Sequence, residues 1–160
     1  MSSRWWGREY GFATSFTLEA PLERVHDVLL DLEHYSAWWP QVRAVAKVDD
    51  DTALVVCRSA LPYDLELVLT AVSRDPGHLE VGIDGPIAGW ARFRLYDEGA
   101  GRTRVLFDQQ VRSEARAFIV ASYLVKPLLV WNHHRMMEGL VAGVTTRVRP
   151  DQSRAASAAS

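Results

Sequence analysis

The sequence predicts an α+β fold of two layers, in which a strongly curved antiparallel sheet of about seven strands is set against a long C-terminal helix. Three observations predict it. Six strand-like segments follow one another between residues 42 and 111, with turn residues between them. One further strand and a short helix precede this run, and the last segment, from Ser113 to about Val148, is helical in pattern. Consecutive strands joined by short turns pair antiparallel, and a sheet with one apolar face requires a helical cover.

The elements follow in order. Residues 9–18 alternate, with Phe12, Phe16 and Leu18 on one face and Ala13, Ser15 and Thr17 on the other, as a half-buried strand requires. Pro21 occupies a first helical position, and Leu22, Val25, Val28, Leu29 and Leu32 follow at helical spacing. One or two short helices therefore follow the first strand, the second in the segment Glu33 to Pro40 that carries Tyr35, Trp38 and Trp39. Strands are expected near 42–49, 52–59, 63–74, 78–84, 88–97 and 103–111. They are separated by Asp49-Asp50-Asp51, Leu61-Pro62, Asp75-Pro76-Gly77, Gly85-Pro86 and Glu98-Gly99-Ala100-Gly101. The terminal helix begins ARAFIVASYLV, apolar on nearly every side, and so needs wide cover. Unbroken, about 36 helical residues would span roughly 54 Å, which is long for this domain, so a break or kink is expected at Pro127, where the bond to the Tyr123 carbonyl is lost. Residues 1–8 read as a flexible N-terminus, 9–148 as one ligand-binding domain, and 149–160 as a disordered polar tail.

Composition narrows the function. A chain of 160 residues with 48% apolar and 24% charged residues suits one soluble domain with a sizeable core. A formal charge of −2 supplies no field for holding nucleic acid. Cys57 stands alone, which excludes an internal disulfide framework and multi-cysteine metal sites, and it fits a reducing cytoplasm. The apolar stretch from Ala115 to Trp131 is interrupted by Arg116, Ser122, Lys126 and Pro127, so no membrane span is expected.

Candidate chemistry is sparse. His133 and His134 point about 100° apart on a helix and cannot share one ion, and no metal-ligand spacing occurs among the five histidines, so neither metal nor cofactor is expected. His133 shares a stripe with Leu129, Met136, Met137 and Leu140, which turns it toward the sheet. There it either bonds a neighbouring backbone group or meets a ligand. Cys57, inside the apolar run LVVCR, reads as an inert buried thiol. Arg92 and Arg94 alternate with Ala91, Phe93 and Leu95, so the arginines belong on the convex face, whereas Arg58 has apolar neighbours on both sides and either face is open to it. Asp64 and Glu66 alternate with inward leucines and face out. Tyr63, Leu65, Leu67 and Leu69 share one strand face, and Val105, Phe107, Gln109 and Val111 share another, so Tyr63 and Gln109 can present polar tips among apolar groups. Tyr35, Trp38 and Trp39 can form the lip of a cavity and Met136 and Met137 its floor, while Trp5 and Trp6 either fold over the opening or mark an interface.

Four segments together, FTLEAPLERVHDVLLDLEHYSAWWP, RSALPYDLELVL, GWARFRLYDEGAGRTRVLFDQQV and KPLLVWNHHRMMEGL, make the chain from about residue 9 to 148 resemble the START-related, helix-grip superfamily (SRPBCC). The similarity is to its polyketide cyclase/dehydrase and lipid-transport branch. It implies a deep apolar cavity between the curved sheet and the terminal helix, and likeness to the aromatase/cyclases would place Arg58 inside it. The leading expectation is binding or transport of a small hydrophobic molecule, a lipid, quinone or polyketide-like compound, in a cavity of roughly 300–1,000 Å³. The expected ligand contacts are Tyr35, Trp38, Tyr63, Leu65, Leu67, Phe93, Phe107, Gln109, Tyr123, Trp131, His133, Met136 and Met137. The alternative is a polyketide aromatase/cyclase or dehydratase in which Arg58, Tyr63, Tyr35 or His133 moves protons, and a third is an interaction domain with a filled core. No nucleic acid is expected as a partner, and a second copy of the chain, in a homodimer, is left open.

Overall fold

The structure is a computed structural model that describes residues 8–58, 64–113 and 116–149. Trp5, Trp6, Tyr63 and the tail beyond Arg149 lie outside the described residues, as do the side chains of Tyr123 and Pro127. Strand β1 (Arg8–Leu18) leads into helix α1 (Leu22–Leu30), a 3₁₀ turn (Leu32–His34) and the short helix α2 (Tyr35–Trp38). Six strands follow: β2 (Val42–Lys47), β3 (Thr52–Arg58), β4 (Asp64–Asp75), β5 (His78–Asp84), β6 (Ala88–Gly99) and β7 (Arg102–Ser113). Helix α3 (Arg116–Val148) ends the fold. The seven strands form one sheet in the order β1-β7-β6-β5-β4-β3-β2, so the meander is completed by β1 returning to pair with β7 from Arg8↔Ser113 to Leu18↔Thr103.

Period-two alternation decides which face each residue takes. The register sets Phe93 opposite Phe107 and Leu79, and Leu95 opposite Val105, all of them buried on the concave side. The convex side holds the residues between them. There Asp108 accepts from Arg94 Nη2 at 2.6 Å and from Arg92 Nε at 3.5 Å, and the Arg92 guanidinium lies 4.3 Å over the Trp90 ring. Asp64 and Glu66 are exposed, as their alternation with Leu65 and Leu67 requires. The Cys57 thiol is buried, and desolvation, with Asp64 a lesser cause, pushes its pKa up to about 11, which makes it a poor nucleophile.

The C-terminal half of α3 packs by one stripe. Met137, Leu140, Val144 and Val148 recur at spacings of three and four and are all buried, meeting Leu18, Val25 and Val105 in the core. Each such side chain contributes about 1.5–3 kcal/mol by leaving water. Thr103, fully buried beside them, donates from its hydroxyl to the Ala20 carbonyl at 2.8 Å. Arg24 of α1 donates from Nε to the Val148 carbonyl at 2.8 Å and from Nη2 to the Arg147 carbonyl at 3.3 Å, satisfying orphan acceptors at the helix end with a cation. Gly143 permits the close approach of α3 to α2, since a Cβ there would overlap the Trp38 carbonyl.

The expected break at Pro127 does not occur: helix α3 continues through it as a single element of 33 residues and about 50 Å. A proline removes one intrahelical bond and crowds one carbonyl, at a cost of about 3 kcal/mol, while the turns on both sides retain their own ladders. The length is also accommodated, because the 12-residue strands β4, β6 and β7 each extend about 40 Å. Among the described residues, no helix is long and apolar enough to cross a membrane.

Candidate functional site

A cavity of about 410 Å³ opens between the concave face of the sheet and the segment joining α1 to β2. Its buried wall consists of Leu29, Tyr35, Trp39, Ala53, Leu79, Phe93 and Phe107, with Leu69, Val81 and Ala91 half-buried between them. Its exposed lining residues are Leu30, Asp31 and Glu33 after α1, Lys47, Asp49, Asp50 and Asp51 around the β2–β3 turn, and Arg74. Exposed residues mark the mouth, so the entrance lies between the α1–α2 connection and the β2–β3 turn.

Local chemistry shapes both lips. In the turn, Asp49 Oδ1 accepts from the backbone N–H of Asp51 at 2.9 Å and of Thr52 at 2.8 Å. These bonds hold the Asp49 pKa below the usual carboxylate range. Arg74 Nη1 pairs with Asp51 at 2.7 Å and Nη2 donates to the Asp50 carbonyl at 2.5 Å, which ties the turn to β4. On the other lip the Tyr35 hydroxyl donates to the Leu29 carbonyl, closing the end of α1. Desolvation, followed by the charge of Asp31, raises the Tyr35 pKa well above the ordinary tyrosine value. Trp39 lies 5.7 Å from the Tyr35 ring and donates from Nε1 to the Met136 carbonyl at 3.0 Å, fixing the cavity wall to α3.

The expected site residues divide. Tyr35, Phe93 and Phe107 come together on the cavity wall, Phe93 and Phe107 with ring centroids 5.0 Å apart. Leu67 and Met137 are buried in the packed core, with Leu65 and Met136 half-buried against it. Trp38 lines a separate open groove between α1 and α3, beside Arg24, Val28 and Gly143. Trp131 is 52% exposed, with the Arg135 guanidinium 5.5 Å from its ring. Gln109 takes the inward register of β7, paired with Phe12 and Ala91. Arg58 is exposed, because Val55 and Cys57 occupy the inward positions of β3 and strand alternation turns their neighbour outward. Its guanidinium does not face the cavity, and the proton-moving role offered for it in a cyclase has no geometric basis.

His133 stacks on Phe12 with centroids 3.9 Å apart and lies 6.3 Å from Phe107. Burial, with His134 a lesser cause, lowers its pKa to about 4, so the imidazole is neutral at pH 7. Its Nε2 is buried and has no hydrogen-bond partner among the described residues. Phe107, whose ring stacks toward His133, lines the 410 Å³ cavity, and His133 itself does not. Trp39 lines the cavity and Trp38 does not; Ala91 takes the inward face its alternation with Arg92 predicts, while Leu79 and Val81 were not singled out, although their alternation with Glu80 carried the same signal. The acidic β2–β3 turn gave no such signal, because a run of aspartates reads as a solvated turn. Among the described residues, no three metal-binding side chains cluster.

A curved antiparallel sheet packed against a C-terminal helix defines a START-like, helix-grip protein, although the cavity lies on the α1–β2 side of the concave face and not, as expected, against the terminal helix, no described residue of which lines it. Residues 11–149 match the family described as "Polyketide cyclase / dehydrase and lipid transport", and the chain belongs to it. No curated protein matches in sequence. Among solved structures, the chain is similar to the Zhui aromatase/cyclase of Streptomyces sp. R1128, at TM-score 0.73 and 14% identity over 89% of this chain and 97% of that one. It is also similar to a START superfamily protein of Mycobacterium smegmatis, at TM-score 0.69 and 16% identity over 86% and 96% of the two chains. A protein of Thermus thermophilus aligns at TM-score 0.74 and 18% identity over 87% and 97%. At these identities the likeness is one of fold.

Proposed function

We propose that the protein binds or carries a small, largely apolar molecule in the 410 Å³ cavity and releases it chemically unchanged. The observation that carries this reading is the cavity itself, whose volume lies within the usual range for small-molecule sites and whose buried wall is apolar and aromatic. The polar groups of that buried wall are already engaged, the Tyr35 hydroxyl by the Leu29 carbonyl and Trp39 Nε1 by the Met136 carbonyl, and the raised Tyr35 pKa removes its hydroxyl from proton transfer near neutrality. A cavity of this size also weighs against an interaction domain with a filled core.

One observation favours a second reading, an aromatase/cyclase or dehydratase. The neutral His133, with Nε2 buried and unpartnered among the described residues, is a group to which a carbonyl or hydroxyl of a polyketide-like substrate would bond if Phe107 rotated aside. The two readings separate in one experiment. The protein is incubated with linear poly-β-ketone mimics, quinones and sterols, and ligand retention and product are followed in parallel by mass spectrometry. Retention without conversion supports carriage. Conversion that is lost in His133→Leu while retention persists replaces it with catalysis.

A further inference from the structure

Apart from the half-buried Glu80, which pairs with His78 at 2.7 Å, the cavity's charged groups lie at its mouth and are unevenly matched. Five exposed carboxylates, Asp31, Glu33, Asp49, Asp50 and Asp51, surround it with two cations, Lys47 and Arg74. Both cations are committed: Arg74 to Asp51 and the Asp50 carbonyl, and Lys47 to Asp50 at 3.5 Å. Asp49 is held ionised by two backbone N–H groups. Behind the mouth, the buried wall contains no cationic side chain among the described residues.

An anionic amphiphile entering this site has two placements. With its head inside, the ionised group leaves water for an apolar wall with no counter-charge, which is strongly unfavourable. With its head at the mouth, it lies among carboxylates whose own cations are already taken. A neutral head meets neither penalty, and a cationic head at the mouth is attracted. The geometry points to a charge filter: the cavity accepts apolar molecules whose polar end is neutral or positively charged and excludes the corresponding anions. This inference rests on the binding reading above and narrows its ligand class.

The test is a matched series of one chain length, decanol, decylamine and decanoate, titrated into the full-length protein at pH 7.5 by calorimetry. At ~10 mM salt, where the Debye length is about 30 Å, decanoate should bind about tenfold or more weaker than decanol, and decylamine at least as tightly as decanol. At ~1 M salt the advantage of the amine should shrink, because screening then acts within about 3 Å. In the double variant Glu33→Lys/Asp50→Lys, both positions being exposed, decanoate should gain relative to decanol and decylamine should lose. Equal binding of decanoate and decanol by the natural protein overturns the filter and leaves the binding reading standing, as does an order of affinities that the double variant leaves unmoved. Failure of all three to bind removes the binding reading and the filter with it.

Discussion

Tyr35→Phe separates a hydroxyl that serves the fold from one that serves a ligand. The substitution removes one oxygen and keeps the ring that walls the cavity. What is lost is the donor to the buried Leu29 carbonyl. A net hydrogen bond is worth about 0.5–1.5 kcal/mol, and leaving a buried acceptor unpaired costs about 1–3 kcal/mol, so the expected loss is roughly 1–2 kcal/mol. With a urea m-value of about 1–3 kcal/mol/M, the unfolding midpoint should fall by roughly 1 M. The pH dependence gives an independent check. The Tyr35 pKa is raised by burial and then by Asp31, so above the unfolded-state value of about 10 the unfolded chain gives up its proton while the folded one retains it. Stability from this group is therefore complete below pH ~10 and declines above it, by at most about 1.4 kcal/mol per pH unit. Urea unfolding followed by circular dichroism at pH 8 and pH 11 should show the gap between natural protein and variant narrowing at the higher pH. Binding of decanol at neutral pH should survive. A variant with an unchanged midpoint that has lost binding or turnover would refute the argument and return the hydroxyl to the ligand.

Five further outcomes are expected. His133 has its pKa lowered to about 4 in the fold, so stability should be complete above the unfolded-state value of about 6.5 and fall as pH drops from there toward 4, and His133→Leu should flatten that decline in urea titrations between pH 7 and 4.5. Arg24→Ala strips the Val148 and Arg147 carbonyls of their donor and should lower stability by about 1 kcal/mol, read as a shift in melting temperature. Gly143→Ala sets a Cβ into the Trp38 carbonyl and should cost about 1–3 kcal/mol through forced separation of α3 from α2, again visible in the melt. Ala91→Phe fills the cavity from its half-buried wall and should weaken decanol binding at least tenfold in calorimetry, whereas Met137→Trp, in the packed core, should destabilise the fold.

Most of the sheet was legible because its signal is periodic. Phe93 and Leu95 alternate with Arg92 and Arg94, and Val105 and Phe107 with Leu106 and Asp108, so the face of each residue follows once one face is known to be apolar. Arg58 lay beyond that logic. Its neighbours are apolar in both directions, and only the register of β3 against β4, which pairs Val55 with Leu67 and Cys57 with Leu65, fixes Arg58 on the outside. Pro127 was read by its local cost, which is real but small beside the cohesion of a 33-residue helix. The location of the cavity was the hardest point. It depends on how Tyr35 and Trp39 fold over the sheet and on bonds from Tyr35 to Leu29 and from Trp39 to Met136, the second spanning 97 residues and leaving no pattern along the chain. The aspartates of the β2–β3 turn fulfil a turn's requirements by themselves, so nothing in their order announced that they also border an entrance.

The strand order leaves the sheet open, with β1 at one margin and β2 at the other. Open margins offer unpaired backbone donors and acceptors to any other strand that comes near. Helix α3 packs against β1, while β2 protects itself differently. It is only six residues long, its pairing slips between Val42 and Ala44, and it carries Arg43 and Lys47. A short, irregular, positively charged margin is a poor template for adding a strand. Accretion of further chains across that side is thereby disfavoured, and a sheet curved enough to hold a cavity can remain unclosed without seeding aggregates.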